Sequence, residues 1–197
     1  MNTRSTLLVS SALALTVLLA GCSTGTVSGT NHSSSAPAAN STATGPHNDA
    51  DIAFALNMAA HHQQAIEMAD MVLAKTGVDG KVTDLAKKIK AEQAPEITLM
   101  KSWLTAWGQS TDSSGMSGME MNGMMSQSDM DALKSADGTT SSTLFLTQMT
   151  QHHQGAIDMS KEELSTGKNA AALELAKNII SAQTTEISTM KQLLAGN

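Results

Sequence analysis

Aromatic residues are nearly missing from this chain of 197 residues, which has two Phe, two Trp and no Tyr. Without them a sheet-based core is poorly supplied, and the abundance of Ala, Leu, Ile and Met suits packed helices instead. Cysteine is reduced to Cys22, which excludes an internal disulfide and any multi-thiolate metal site. Basic residues are in the minority, 12 against 18 acidic, a balance that argues against nucleic acid as a partner. The longest apolar run, Leu7 to Leu19, is shorter than the roughly 20 residues needed to cross a bilayer. There is no nucleophile elbow, phosphate loop or Cys-based active site, so no enzymatic activity is expected.

That apolar run follows Arg4 and ends in Leu19-Ala20-Gly21-Cys22, the pattern of an export signal closing on the lipobox of bacterial lipoproteins. Residues 1–21 are expected to be removed and Cys22 acylated, anchoring the protein to a membrane on its extracytoplasmic side. Residues 22–48 are rich in Ser, Thr, Ala and Gly with Pro37 and Pro46, too polar to build a core, and read as a flexible tether. His32 and His47 lie in it and are given no role.

Residues 49–197 repeat themselves. FALNMAAHHQQAIEM (Phe54–Met68) matches FLTQMTQHHQGAIDM (Phe145–Met159) at a shift of 91, and LAKKIKAEQAPEITLMK (Leu85–Lys101) matches LAKNIISAQTTEISTMK (Leu175–Lys191) at a shift of 90. Each copy reads as a helical hairpin, residues 49–107 and 139–197. The first helices are expected to stop at Thr76-Gly77 and Thr166-Gly167, with glycine in a left-handed cap. Pro95 should bend one second helix locally. The connection, 108–138, carries a capping box at Ser126 and Asp129 that opens a short helix. The expected fold is all-α: an antiparallel four-helix bundle of the ferritin-like kind, made of two duplicated hairpins.

On a helical wheel His61 and His62 flank Met58 and face the apolar stripe, with Glu67 opposite. Glu96 and Gln93 fall on the inward side of the next helix, and a buried carboxylate needs a partner. Measured from the hairpin turn, His61 and Glu96 are equally distant, about 24 Å at the helical rise, and should meet. Met58 with Met100, and Met149 with Met190, would form the adjoining layer. His152, His153 and Glu186 repeat the arrangement, so these ten residues are the candidate metal ligands, with the two Glu serving either as ligands or as groups that orient the imidazoles. Gln93 and Gln183 read as structural hydrogen-bonders. Five methionines in ten residues of the connection, Met116, Met119, Met121, Met124 and Met125, lack helical periodicity and form a possible second site.

Imidazole suits copper, zinc and iron, whereas thioether selects Cu(I) and, by extension, silver. Copper is therefore the expected metal, as Cu(I) or Cu(II), with silver as its soft analogue. Binding to ordinary imidazoles would weaken below about pH 6. A ferritin-type di-iron site needs Glu three residues before each His, and Met58, Ala59, Met149 and Thr150 stand there instead. Two other readings are a helical interaction module whose buried His and Glu merely hydrogen-bond, and a copper-dependent redox enzyme.

The doubled HHQQAIEM and HHQGAIDM motifs, the Gln…Glu…Met segments after them and the stretch Gly123 to Ser126 resemble the bacterial family known as domain of unknown function 305. The resemblance runs from about Asp49 to Leu194. It implies a ferritin-like helical fold and an exported copper- or silver-binding protein, with a copper-transfer protein as a possible partner. The family often carries an Asp ahead of the Phe of each His helix; Asp51 fits this pattern, whereas its counterpart is Ser142.

Overall fold

A computed structural model of the protein describes residues 45–112 and 122–196, which form five helices and no strands. They are α1 (Asp49–Leu73), α2 (Gly80–Ala106), α3 (Gln127–Ser135), α4 (Gly138–Thr166) and α5 (Ala170–Ala195). The signal segment, Cys22, Met116, Met119 and Met121 lie outside the described residues. Every helix follows an Asn, Asp or Ser whose side chain accepts from the first free backbone N–H groups: Asn48, Asp79, Ser126, Asp137 and Asn169. At Ser126 the reciprocal bond from Asp129 completes the expected capping box.

α1 and α2 run antiparallel across a short turn, because Asp70 pairs with Lys90 near the turn and His62 with Glu96 further out. α4 and α5 repeat this, with His153 paired to Glu186. The hairpins join through α1 and α4, also antiparallel. Asn48 Nδ2 donates to the Thr166 carbonyl at one end, and Gly138 packs on Thr76 and Gly77 at the other, where a Cβ would stand 2.0 Å from the Thr76 carbonyl oxygen.

Two local expectations need correction. α1 stops at Leu73, before Thr76-Gly77, so Gly77 uses its φ of 78° in the following turn and not as the helix cap. Gly167 does cap α4, but in extended conformation; it is small because a Cβ would lie 2.3 Å from Glu163 Oε1. Pro95 stands inside α2, on its exposed face.

Apolar side chains form two clusters. One holds Met58, Met100, Phe54 and Trp103; the other holds Met149, Met190, Phe145 and Leu133. Along α1 the change from one cluster to the other falls between Ala59 and Ala65; along α4 the first residue of the other cluster after Met149 is Ala156, while Ile157 still belongs with Met149. Along α2 it falls between Ile89 and Ile97, and along α5 between Ile179 and Ile187. His61, His62, His152, His153, Gln93 and Gln183 occupy these gaps. The core is therefore interrupted by a polar layer.

Candidate metal centre

Each polar residue in that layer is carried inward by the same 3.6-residue periodicity that buries its apolar neighbours. The four histidines are at most 1 % exposed, and Gln93 and Gln183 are 3 % exposed. His62 Nε2 lies 2.8 Å from Glu96 Oε2, and His153 Nε2 lies 2.8 Å from Glu186 Oε2. The rings of His61 and His152 meet face to face across the α1–α4 contact, with centroids 3.6 Å apart and planes tilted by 34°. Glu96 meets His62 and not the expected His61. Adjacent residues on a helix differ by 100°, so His62 faces the hairpin partner while His61 faces the other repeat.

The polar satisfaction of this layer is poor. Both ring nitrogens of His61 and of His152, Nδ1 of His62 and of His153, both polar atoms of Gln93 and Oε1 of Gln183 are buried without a hydrogen-bond partner. The Asn122 backbone comes near enough to favour the charged form of His61 slightly, short of an ordinary hydrogen bond. Gln93 is thus not the structural hydrogen-bonder expected. Native cores rarely leave even a few such groups unpaired, and a cluster of them at one level marks a place where an ion or water completes the bonding.

Electrostatics keep the central rings neutral. Burial, reinforced by His62 and His153, pushes His61 down to about 3. Burial, with His61, His153 and His62, holds His152 well below the ordinary imidazole range. Burial also lowers His153, against the pull of Glu186. Burial alone would raise Glu186, but His153 and Lys88 hold it down to about 2. A neutral imidazole exposes a nitrogen lone pair, which is the form that ligates metal. Among the described residues no three His, Cys, Asp or Glu side chains converge as a ready-made chelate. The layer offers neutral nitrogen donors in pairs.

The candidate methionines divide. Met58, Met100, Met149 and Met190 are fully buried, the first two in one apolar cluster and the last two in the other. Thr150 Oγ1 lies 3.7 Å from the Met190 sulfur. Met124 is half-buried, whereas Met125 is 9 % exposed and belongs to the core although it lies outside any helix. The reason is Gln64: its amide accepts from Met125 N at 2.8 Å and donates to Met125 O at 3.0 Å, so both backbone groups of Met125 are satisfied against α1.

Sequence reasoning missed Lys88, which reaches from α2 to Glu186 Oε1 at 2.7 Å. It also missed Glu163, which is 1 % exposed beside the fully buried Asp51. Burial and the neighbouring Asp51 carboxylate push Glu163 up to about 8, so it is protonated at neutral pH, and neither of its oxygens makes an ordinary hydrogen bond. Asp51 accepts from Asn48 N, Lys168 N and Asn169 N at 2.6, 2.9 and 2.7 Å; these bonds outweigh burial and lower its pKa. Its repeat counterpart Ser142 does the same work at the opposite turn, accepting from Asp79 N at 3.2 Å. The Asp ahead of Phe54 therefore ties down a turn. The signal for Glu163 was its place seven residues after Ala156, on the buried stripe of α4.

An all-helical domain with a buried histidine layer between two repeats is the class that fold and site define. The profile described as "Domain of unknown function (DUF305)" matches residues 51–194, and the chain belongs to this family. It is similar to the crystal structure of a DUF305 protein from Streptomyces coelicolor, described as a candidate secreted protein. That match has 35% identity, TM-score 0.69, and covers 75% of this chain and 93% of that one. A DUF305 fragment from Deinococcus radiodurans matches at 28% identity and TM-score 0.70, over 78% and 100% of the two chains. CopM in its Cu(I)-bound form matches at 31% identity and TM-score 0.62, over 74% and 96%, and CopM has also been solved with Cu(II) and with Ag. No curated protein matches the chain significantly.

Proposed function

We propose that this protein is an extracytoplasmic, lipid-anchored carrier or store of copper that also takes silver, and that its four long helices form one antiparallel bundle around the metal-binding layer. The observation that carries the proposal is the set of six buried ring nitrogens without partners on His61, His62, His152 and His153. Glu96 and Glu186 each hold one nitrogen of an adjacent imidazole and so orient the ring, the usual part of a carboxylate behind a histidine ligand. Met58 and Met149 stand three residues before His61 and His152, Met100 and Met190 stand four residues after Glu96 and Glu186, and these thioethers favour a soft ion. Donors in pairs suit Cu(I) and Ag(I), which accept low coordination numbers, better than tetrahedral zinc. CopM, a structural neighbour, binds the same ions. Among the described residues no helix is long and apolar enough to cross a membrane; the lipobox pattern ending at Cys22 supports attachment by a lipid there. We assign no catalysis; metal ions and a transfer partner are the ligands.

Titration of the mature protein with Cu(I), Cu(II) and Ag(I), against a variant with all four histidines changed to Ala, tests this. Tight binding lost in the variant, with its helical content retained, supports the proposal. Equal affinities would favour the helical interaction module.

A further inference from the structure

Residues Asn122 to Met125 form a short strap across the α1–α4 contact, and its fastening breaks the symmetry of the repeat. On α1 it is held by the paired hydrogen bonds of Gln64 to Met125. On α4 it is held by close backbone contact: a Cβ on Gly155 would lie 2.1 Å from the Asn122 carbonyl oxygen and 2.7 Å from Gly123 Cα. Gly123 itself has a φ of 83°, and a Cβ there would meet Gly155 Cα at 2.7 Å. Asn122 Nδ2 adds a longer bond to Asp158 at 3.4 Å.

Gln64 and Gly155 are the same position in the two repeats, at the shift of 91 that also relates His61 to His152. The repeat has thus diverged there into a clamp on one side and a seat on the other. Both stand three residues beyond His61 and His152, less than one helical turn away. The strap therefore runs over the pair of rings whose four nitrogens lack partners.

We propose that the strap is a gate over the His61–His152 pair, and that Gln64 and Gly155 are positioning residues that set how fast a soft metal ion enters and leaves the layer; this rests on the metal reading above. Gln64→Ala removes the clamp and leaves both backbone groups of Met125 unpaired. Gly155→Ala fills the seat while favouring the α-helix it lies in. A gate alters association and dissociation together and leaves the ratio nearly unchanged, which a loss of binding geometry would not do.

The test has two arms on the full mature protein. The first needs no metal: diethyl pyrocarbonate modification of each histidine in the apo protein, followed by peptide mapping. The second is stopped-flow binding and release of Ag(I). Both variants are expected to modify His61 and His152 about tenfold faster, the population shift expected from losing hydrogen bonds of ordinary net strength. Association and dissociation of Ag(I) should rise together by a similar factor. Gln64→Glu, which still accepts from Met125 N but cannot donate, should fall between wild type and Gln64→Ala. Wild-type modification rates in both variants would overturn the gate. Faster modification in a protein that binds no silver would support the strap as a cover and overturn the metal reading.

Discussion

The two hairpins hold the same His–Glu pair at the same 2.8 Å separation but in different surroundings. In the second, Glu186 is 4 % exposed and is bonded on its other side by Lys88 of the first hairpin. In the first, Glu96 is 22 % exposed, and the repeat counterpart of Lys88 is Asn178. One pair is enclosed and cross-braced, while the other is open to solvent. A duplicated sequence thus produces one structural pair and one accessible pair, and proton exchange with solvent is expected through Glu96.

The sharpest way to break this comparison is to delete each carboxylate. Glu186→Ala strands a buried imidazole and is expected to cost about 3 kcal/mol of apo stability, whereas Glu96→Ala should cost about 1 kcal/mol. Urea denaturation measures both, and equal losses would remove the distinction.

The pH dependence comes next and has two limbs of opposite sign. His61 has a folded value of about 3 against 6.5 when free, so stability is present above pH 6.5 and lost as pH falls towards 3. Glu163 has a folded value of about 8 against 4.5, so its contribution is present below pH 4.5 and lost as pH rises through 8. Glu163→Gln keeps the side-chain shape beside Asp51 without a charge, and should be more stable than wild type by about 2 kcal/mol at pH 9. Thermal melts across pH 4 to 9 check both limbs. The same depressed His61 value moves proton competition with metal well below the pH 6 expected of a solvent-exposed imidazole.

Lys88→Met should remove about 1 kcal/mol, limited because the ammonium is half exposed, and should raise the pKa of Glu186 from about 2. The smallest expected effect is a gain: Asn178→Lys would give Glu96 its missing brace, worth a few tenths of a kcal/mol. No gain in melting temperature there would mean that the repeats differ in backbone geometry as well as in side chains.

Much of the fold was legible because it depends on local signals. Helix starts at Asn48, Ser126 and Asn169 and the apolar stripes follow from capping chemistry and periodicity. The burial of His61, His62, His152 and His153 followed from the same periodicity. Which histidine met which partner did not, because the answer depends on how α1 is rotated between α2 and α4. Lys88, Glu163 and the strap were hidden for a related reason: each acts on residues more than 30 positions away in sequence. The difference between Gln64 and Gly155 was visible in the aligned repeats, but its meaning required the backbone of Asn122 lying against α4.

The most direct test of the metal layer is nitrogen-detected NMR of ¹⁵N-histidine protein during Ag(I) titration. The rings of His61 and His152 should shift first, with His62 and His153 keeping their bonds to Glu96 and Glu186 through Nε2. Methionine methyl signals that respond while all four imidazoles stay unperturbed would contradict a histidine-centred site.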